Sequence, residues 1–459
     1  MSYYCSPIFA GHIGGSKNIN AVKDSFTELT ALKLTPEQIV TIAGNIGGSK
    51  NIEAVKNSFT ELTALQLTPE QIVAIAGHAG GSKNIEAIKN SFTELTALQL
   101  TPEQIIKIAG NSGGSRNVKA VKDSFNELTA LQLTLEQVVA IAGHSGGSKN
   151  INAVKDSFNE LTALHLTPEQ IVTIAGNDGG SKNLEAIKNS FTELTALQLT
   201  PEQIIKIAGN IGGSRNVKAV KDSFNELTAL QLTPEQIVTI AGHDGGSKNI
   251  NAVKDSFTEL TALQLTPEQI VTIAGNAGGS KNIGAIKNSF TELTALQLTP
   301  EQIIKIAGNM GGSRNVKAVK ESFNELTALQ LTPEQIVTIA GHGGGSKNIE
   351  AVKDFFNELT ALELTPEQIV TIAGHGGGSR NIEAIKNSFA ELKSLQLNSE
   401  QIVKIAANNG GSKNIEVAKK YLSLLEQQGI EKERIIKILS RPGGSKKILS
   451  FVQKKEAFL

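Results

Sequence analysis

The chain has 459 residues, no Trp, 3 Tyr and a single Cys, and its 44 Lys plus Arg balance 44 Asp plus Glu. One cysteine excludes an internal disulfide framework and a cysteine-based zinc site, and a formal charge of zero excludes bulk basicity as the means of holding a polyanion. No apolar run approaches the ~18 residues of a membrane span, and Met1 to Ala10 lacks the basic and apolar regions of a signal peptide, so a soluble, intracellular protein is expected.

The sequence is periodic from end to end. Leu34-Thr35-Pro36-Glu37-Gln38 recurs at Leu67, Leu100, Leu166, Leu199, Leu232, Leu265, Leu298, Leu331 and Leu364, with altered copies at Leu133 (Leu135 replaces the Pro) and Leu397. Each interval is 33 residues or a multiple of it, so twelve repeats fill residues 34–429. Residues 1–33 read as a truncated N-terminal capping repeat and 430–459 as a degenerate C-terminal one. A set of independent globular domains is thereby replaced by a solenoid, in which each unit leans on its neighbours.

Within a repeat, counting Leu34 as position 1, two helices are expected. Thr35 is the N-cap of the first, Pro36 stands at N1, and Gln38 at N3 completes a capping box. That short helix presents Ile39, Val40, Ile42 and Ala43 and stops at Gly44. A loop, Asn45-Ile46-Gly47-Gly48, follows, and Ser49 or a neighbouring glycine opens a longer helix. Its apolar residues Ile52, Val55, Phe59, Leu62 and Leu65 fall three and four apart, one stripe that only stacking on neighbours buries. The phenylalanine at position 26 (Phe26, Phe59, Phe92 and onward) is a core residue on this reading.

One position refuses to repeat. The units at Leu100 and Leu199 are identical in 32 of 33 places and differ at Ser112 against Ile211; the unit at Leu298 has Met310 there and otherwise differs only by Glu321 for Asp. This position 13 holds Ile13, Ile46, Ala79, Ser112, Ser145, Asp178, Ile211, Asp244, Ala277, Met310, Gly343, Gly376 and Asn409. A packed site exchanges Ile, Asp and Gly only at a cost of several kcal/mol, so position 13 is exposed or faces a partner. Drift at a loop tip is the bland alternative. Against it, position 20 uses four residue types that largely follow a three-repeat subclass, whereas position 13 uses seven and ignores it.

Position 12 holds only two residue types: His12, His78, His144, His243, His342 and His375, or Asn45, Asn111, Asn177, Asn210, Asn276, Asn309 and Asn408. The histidines stand at least a repeat apart, which excludes their convergence on one metal ion. Both types can donate a hydrogen bond to a last-turn carbonyl of the preceding helix, so position 12 is expected to shape the loop while position 13 reads something.

A 33-residue two-helix repeat opening with Leu-Thr-Pro-Glu-Gln and carrying a variable pair before Gly-Gly resembles the DNA-binding repeats of transcription activator-like effectors (TALEs). The likeness runs from about Phe9 to Gly429, with an echo at Arg441-Pro442-Gly443-Gly444. In kind the chain is more similar to the minimal TALE-like proteins of other bacteria than to plant-pathogen members. The resemblance implies an all-α fold, a right-handed superhelical solenoid, and a monomer that binds double-stranded DNA in the major groove, one repeat per base of one strand. It implies a bacterial cytoplasmic location, or a host cell for an exported effector. Position 12 then steadies the loop and position 13 meets the base. Family members with strong DNA binding carry a long N-terminal region of degenerate repeats, and only 33 residues precede Leu34 here. A piece of a longer protein and an intrinsically weaker binder are both compatible with that.

The chemistry of position 13 agrees with this. Asp178 and Asp244 can accept from a cytosine N4 amino group, Gly343 and Gly376 leave room for a thymine methyl, and Asn409 can donate to a purine N7. The resemblance pairs Ile46 and Ile211 with adenine. The implied target is A at Ile46, C at Asp178, A at Ile211, C at Asp244, T at Gly343 and Gly376, then G or A at Asn409. Ala79, Ser112, Ser145, Ala277 and Met310 are weakly specified or unfamiliar, and Ile13 lies in an incomplete repeat.

Phosphate contacts are expected from two sources. Gly47 and Gly48 are expected to put bare backbone amides at a helix N-terminus, which favours an anion. Position 17 is always basic: Lys17, Lys50, Lys83, Arg116, Lys149, Lys182, Arg215, Lys248, Lys281, Arg314, Lys347, Arg380 and Lys413. The family's lysine usually lies one residue earlier, where this chain has Ser (Ser49, Ser82).

Rival readings fare worse. Gly44 to Lys50 faintly resembles a phosphate-binding P-loop, but no strand precedes it and Lys50 follows Ser rather than Gly. No unique polar cluster stands out from the repeats, so no enzyme, cofactor, metal or small-molecule substrate is expected. The Thr-Pro-Leu-His-x-Ala signature of ankyrin arrays, which share the period, is missing, and A-form RNA offers grooves ill suited to such loops. A protein-binding solenoid scaffold and a non-specific DNA-wrapping protein are the alternatives.

Overall fold

The computed structural model describes residues 15–45 and 47–456, with the side chains of residue 15 and of 454–456 left aside. His12, Ile13 and Ile46 therefore lie outside the described residues. Those residues form 27 helices and no strand. Long and short helices alternate: α1 (Gly15–Ala31), α2 (Pro36–Ala43), α3 (Gly48–Ala64), α4 (Pro69–Ala76), α5 (Gly81–Ala97) and so on to α26 (Lys432–Leu439) and α27 (Gly444–Glu456). The protein is an all-α solenoid of helix pairs.

Each short helix starts as its sequence dictates. The Thr35 hydroxyl accepts from the Gln38 amide at 3.3 Å while the Gln38 side chain accepts from the Thr35 amide at 2.8 Å, so two of the four orphan amides of the N-terminus are satisfied reciprocally. Leu135 in place of proline leaves this box intact at Thr134, and Asn398 substitutes for threonine in the box before Gln401. At α26, Glu431 caps without a side-chain bond.

Except after Gly411–Gln427, where Gly429 has φ 81°, the ends of the long helices have no glycine to announce them. Gln66 adopts φ +62°, the Gln66 amide donates to Thr63 and the Leu67 amide to Leu62, a Schellman closure built on glutamine. The turn carries Leu67 back into the core, where it is buried, while Leu65, assigned to the stripe from its spacing, closes the helix half-buried. The rest of the stripe is in the core: Ile52, Val55 and Leu62 are inaccessible or nearly so, and Phe59 is 7% exposed.

The chain divides into two compact units, Met1–Asp222 and Ser223–Leu459. Within each, the long helices up to Gly180–Ala196 and from Gly246–Ala262 onward pack on the long helices of flanking repeats, and the short helices there contact neighbouring long ones. No helix among the described residues is long and apolar enough to cross a membrane.

Candidate nucleic-acid interface

The variable residue sits at the tip of a tight turn. The Gly81 amide donates to the His78 carbonyl at 2.9 Å, and Gly80 between them has φ 81° and ψ 18°. Ala79 is not among the residues with positive φ, so the turn is type II with the variable residue at its second place and an obligatory left-handed glycine at its third. The two glycines answer different demands. A Cβ on Gly80 would meet nothing within 4 Å, so backbone conformation alone selects glycine there. A Cβ on Gly81 would lie 2.0 Å from the Ala76 carbonyl oxygen, so close approach of loop and short helix selects the second.

That closeness corrects one expectation. The Gly48 amide is not bare: Gly48 is buried and its N–H donates to the Asn45 carbonyl at 2.9 Å. The first glycine differs, since the amides of Gly80, Gly113, Gly146 and Gly179 enter no hydrogen bond among the described residues.

The loop is held from the preceding repeat by a residue that sequence reasoning passed over. Position 18 is Asn in every copy from Asn18 to Asn414, and each of these is nearly inaccessible. Asn150 Nδ2 donates to the Asn177 carbonyl at 3.0 Å and its Oδ1 accepts from the Ser181 amide at 2.9 Å. The same clip joins Asn51 to His78 and Ser82, Asn84 to Asn111 and Ser115, and Asn381 to Asn408 and Ser412. One side chain thus fixes the carbonyl just before the variable residue and the amide three residues after it. An invariant polar residue beside an apolar stripe was the available signal.

Position 12 divides by residue type. Asn111 Nδ2 donates to the Lys107 carbonyl at 2.9 Å in its own short helix and to the Gly143 carbonyl of the next repeat at 3.1 Å; Asn45, Asn177, Asn276 and Asn309 do the same. Asn210 bonds Lys206 alike, and Asn408 turns inward to Ile405. His78, His144, His342 and His375 make no such side-chain bond. One amide nitrogen has two N–H groups for two carbonyls, whereas imidazole N–H vectors diverge. The His342 and His375 rings stack instead at 6.4 Å between centroids. Burial lowers both pKa values below the usual imidazole range, and for His342 the positive charges of His375 and Lys305 add to it.

Position 13 faces outward. Ser112, Ser145, Asp178, Ile211, Asp244, Met310, Gly343 and Asn409 are exposed, and Ala79, Ala277 and Gly376 are half-buried. Met310 and Ile211, at 69% and 54%, are the two most exposed large hydrophobic residues among the described ones. Beside them, the thirteen basic residues of position 17 are all exposed, and none is in an ion pair among the described residues.

The other recurrent lysine, position 23, behaves oppositely. Lys89 pairs with Glu61 of the preceding repeat at 2.6 Å, Lys188 with Glu160 at 2.7 Å and Lys353 with Glu325 at 2.7 Å, one rung per repeat. A neutral chain therefore presents, repeat after repeat, one unneutralised cation on the loop side.

The TAL effector repeat model matches residues 47–78, 212–243, 310–342 and 343–375. Each stretch runs from one loop to the next, starting at position 13 or 14 and closing at position 12, so the match has the register of the helix pairs just described. Four stretches of the chain thus match TAL effector repeats, within an array of helix pairs consistent with such repeats. No curated protein matches the chain. TAL effector repeats are DNA-binding repeats, a binding architecture and not an enzyme family.

Proposed function

We propose that this repeat protein binds double-stranded DNA sequence-specifically, with one repeat per base pair, through the residue at position 13. The observation that carries this reading is the pair of repeats at Leu100 and Leu199. They are alike in every residue but Ser112 and Ile211, and both of those are exposed at the tip of a clamped turn. Residues 34–429 form the reading array, with 1–33 and 430–459 as its caps. Asp178 and Asp244 accept from cytosine N4, Gly343 and Gly376 admit the thymine methyl, and Asn409 donates to a purine N7.

The position 18 clip of the preceding repeat, joined by position 12 where that residue is Asn, preorganises the turn, so the entropy of ordering the tip is lost on folding and not on binding. The position 17 cations and the free amide of the first loop glycine meet phosphates, which position the array without reading it. Asp244→Ile tests the assignment. The expected outcome is a shift from C towards A at that one base, with ~1–3 kcal/mol of discrimination at stake. Retention of C in the selected sites would refute single-residue readout.

A further inference from the structure

The charge of the array is not uniform, and its unevenness has a three-repeat period. The repeats beginning at Leu100, Leu199 and Leu298 each carry four cations against three anions. The repeats at Leu133, Leu166, Leu232 and Leu331 each carry two cations against three, four, four and five anions. The excess comes from two substitutions: Lys at position 20, and Lys at position 8, where the other repeats up to Leu364 have Thr or Ala and the one at Leu397 has Lys404.

The two added lysines have different fates. Position 20 is neutralised within its own helix, Lys119 by Asp123 at 2.5 Å and Lys317 by Glu321 at 3.7 Å. Lys107 and Lys305, at position 8, form no ion pair among the described residues. Their glutamates four residues earlier, Glu103 and Glu301, do not engage them, although the corresponding pair Lys404–Glu400 closes to 2.7 Å in the repeat at Leu397. The side chains lie instead along the next repeat. Lys107 Cγ and Cε are 3.1 and 3.3 Å from where a Cβ on Gly143 would stand, and Lys305 lies in the same way against Gly341. Gly143 and Gly341 come two residues before the variable residues Ser145 and Gly343. The charge of Lys305 is felt there, since it is one of the causes that depress the pKa of His342.

An exposed lysine held across to the next loop, unpaired while anions stand in the same short helix, is placed for an anion outside the chain. We propose that Lys107, Lys305 and, from the identity of its repeat, Lys206 are a second set of phosphate contacts, recurring every third repeat beside the position 17 cations. This deepens the DNA-binding reading and rests on it. In these three repeats position 13 is Ser112, Ile211 or Met310, none of which carries charge for a base edge.

The test uses the full chain and the duplex that the wild-type chain selects, with affinity measured from 50 to 200 mM salt. Lys107→Ala, Lys206→Ala and Lys305→Ala place at position 8 the residue already present at Ala74 and Ala140, so the helix pair keeps its packing. Each loss is expected to flatten the slope of log affinity against log salt by about 0.9, so that a fourfold rise in salt weakens binding about 3-fold less than in wild type. The triple variant should lose about 40-fold of that salt dependence, with the base preference unmoved. Thr338→Lys should add one contact and steepen the slope. A wild-type chain that binds with slopes unchanged in all five variants overturns this inference alone. A shift in base preference on Lys305→Ala also overturns it. A wild-type chain that binds no duplex at 50 mM salt overturns the DNA reading and this inference together.

Discussion

Positions 17 and 23 each place a cation in repeat after repeat on the same long helix, about two turns apart, yet they do opposite things. At position 23 the ammonium closes a rung to the preceding repeat, as in Lys89–Glu61. At position 17 it stays exposed and unpaired beside the loop. An invariant charge in a repeat array therefore does not announce a ligand: the rung is equally invariant and serves stacking. What separates them is whether the neighbouring repeat supplies a carboxylate, a fact of three dimensions that no single repeat displays.

The largest effect is expected at the clip that holds the loop. Asn150→Ala leaves the Ser181 amide and the Asn177 carbonyl without their partner, at a cost of about 1–3 kcal/mol in stability. Because Asp178 follows Asn177 directly, the C preference at its base should weaken although Asn150 is buried away from any ligand. Urea unfolding and duplex selection on the same variant check both halves, and a stable variant with intact preference would contradict the clip.

Lys248→Ala should come next. It removes one phosphate contact, flattening the salt slope by about 0.9 and weakening all sequences alike. Competition binding across salt concentrations measures it, and a change in base preference would refute the phosphate assignment. Lys89→Ala, the rung counterpart, should leave the salt slope of binding unmoved. Its cost should appear in thermal unfolding, at about 0.2–1 kcal/mol for a half-exposed pair. Equal binding phenotypes for the two lysines would show that positions 17 and 23 act alike.

The smallest effect concerns the stacked histidines. Burial depresses both pKa values, so the folded chain takes up protons less readily than the unfolded chain. The stability this contributes is fully present above the ordinary imidazole pKa of about 6.5 and is lost as pH falls through the lowered folded values. A slightly lower Tm at pH 5 than at pH 7.5 is expected, and less of that drop in His342→Asn/His375→Asn, which uses the other residue natural to the position. An identical drop in the double variant would contradict it.

Much of the fold was legible because local signals agree. Thr35, Pro36, Gln38 and Gly44 mark both ends of the short helix, and the stripe from Ile52 to Leu62 has the helical period. The end of the long helix was not legible, since a left-handed Gln66 carries no compositional mark, and Leu65 was mistaken for core where Leu67 is buried. At the site, exposure of position 13 followed from its tolerance of Asp, Ile and Gly alike. The turn type, the occupied amide of Gly48, the split between Asn and His at position 12 and the position 18 clip depend on contacts between successive repeats. Those contacts are invisible to a period read one repeat at a time.

The central claim is that one exposed residue per clamped turn reads one base pair. Selection of bound duplexes from a randomised library tests it most directly. The account predicts C, A and C at consecutive repeats for Asp178, Ile211 and Asp244, then T and T beginning three base pairs after the second C. Binding without any motif, or a motif that ignores these residues, would contradict it.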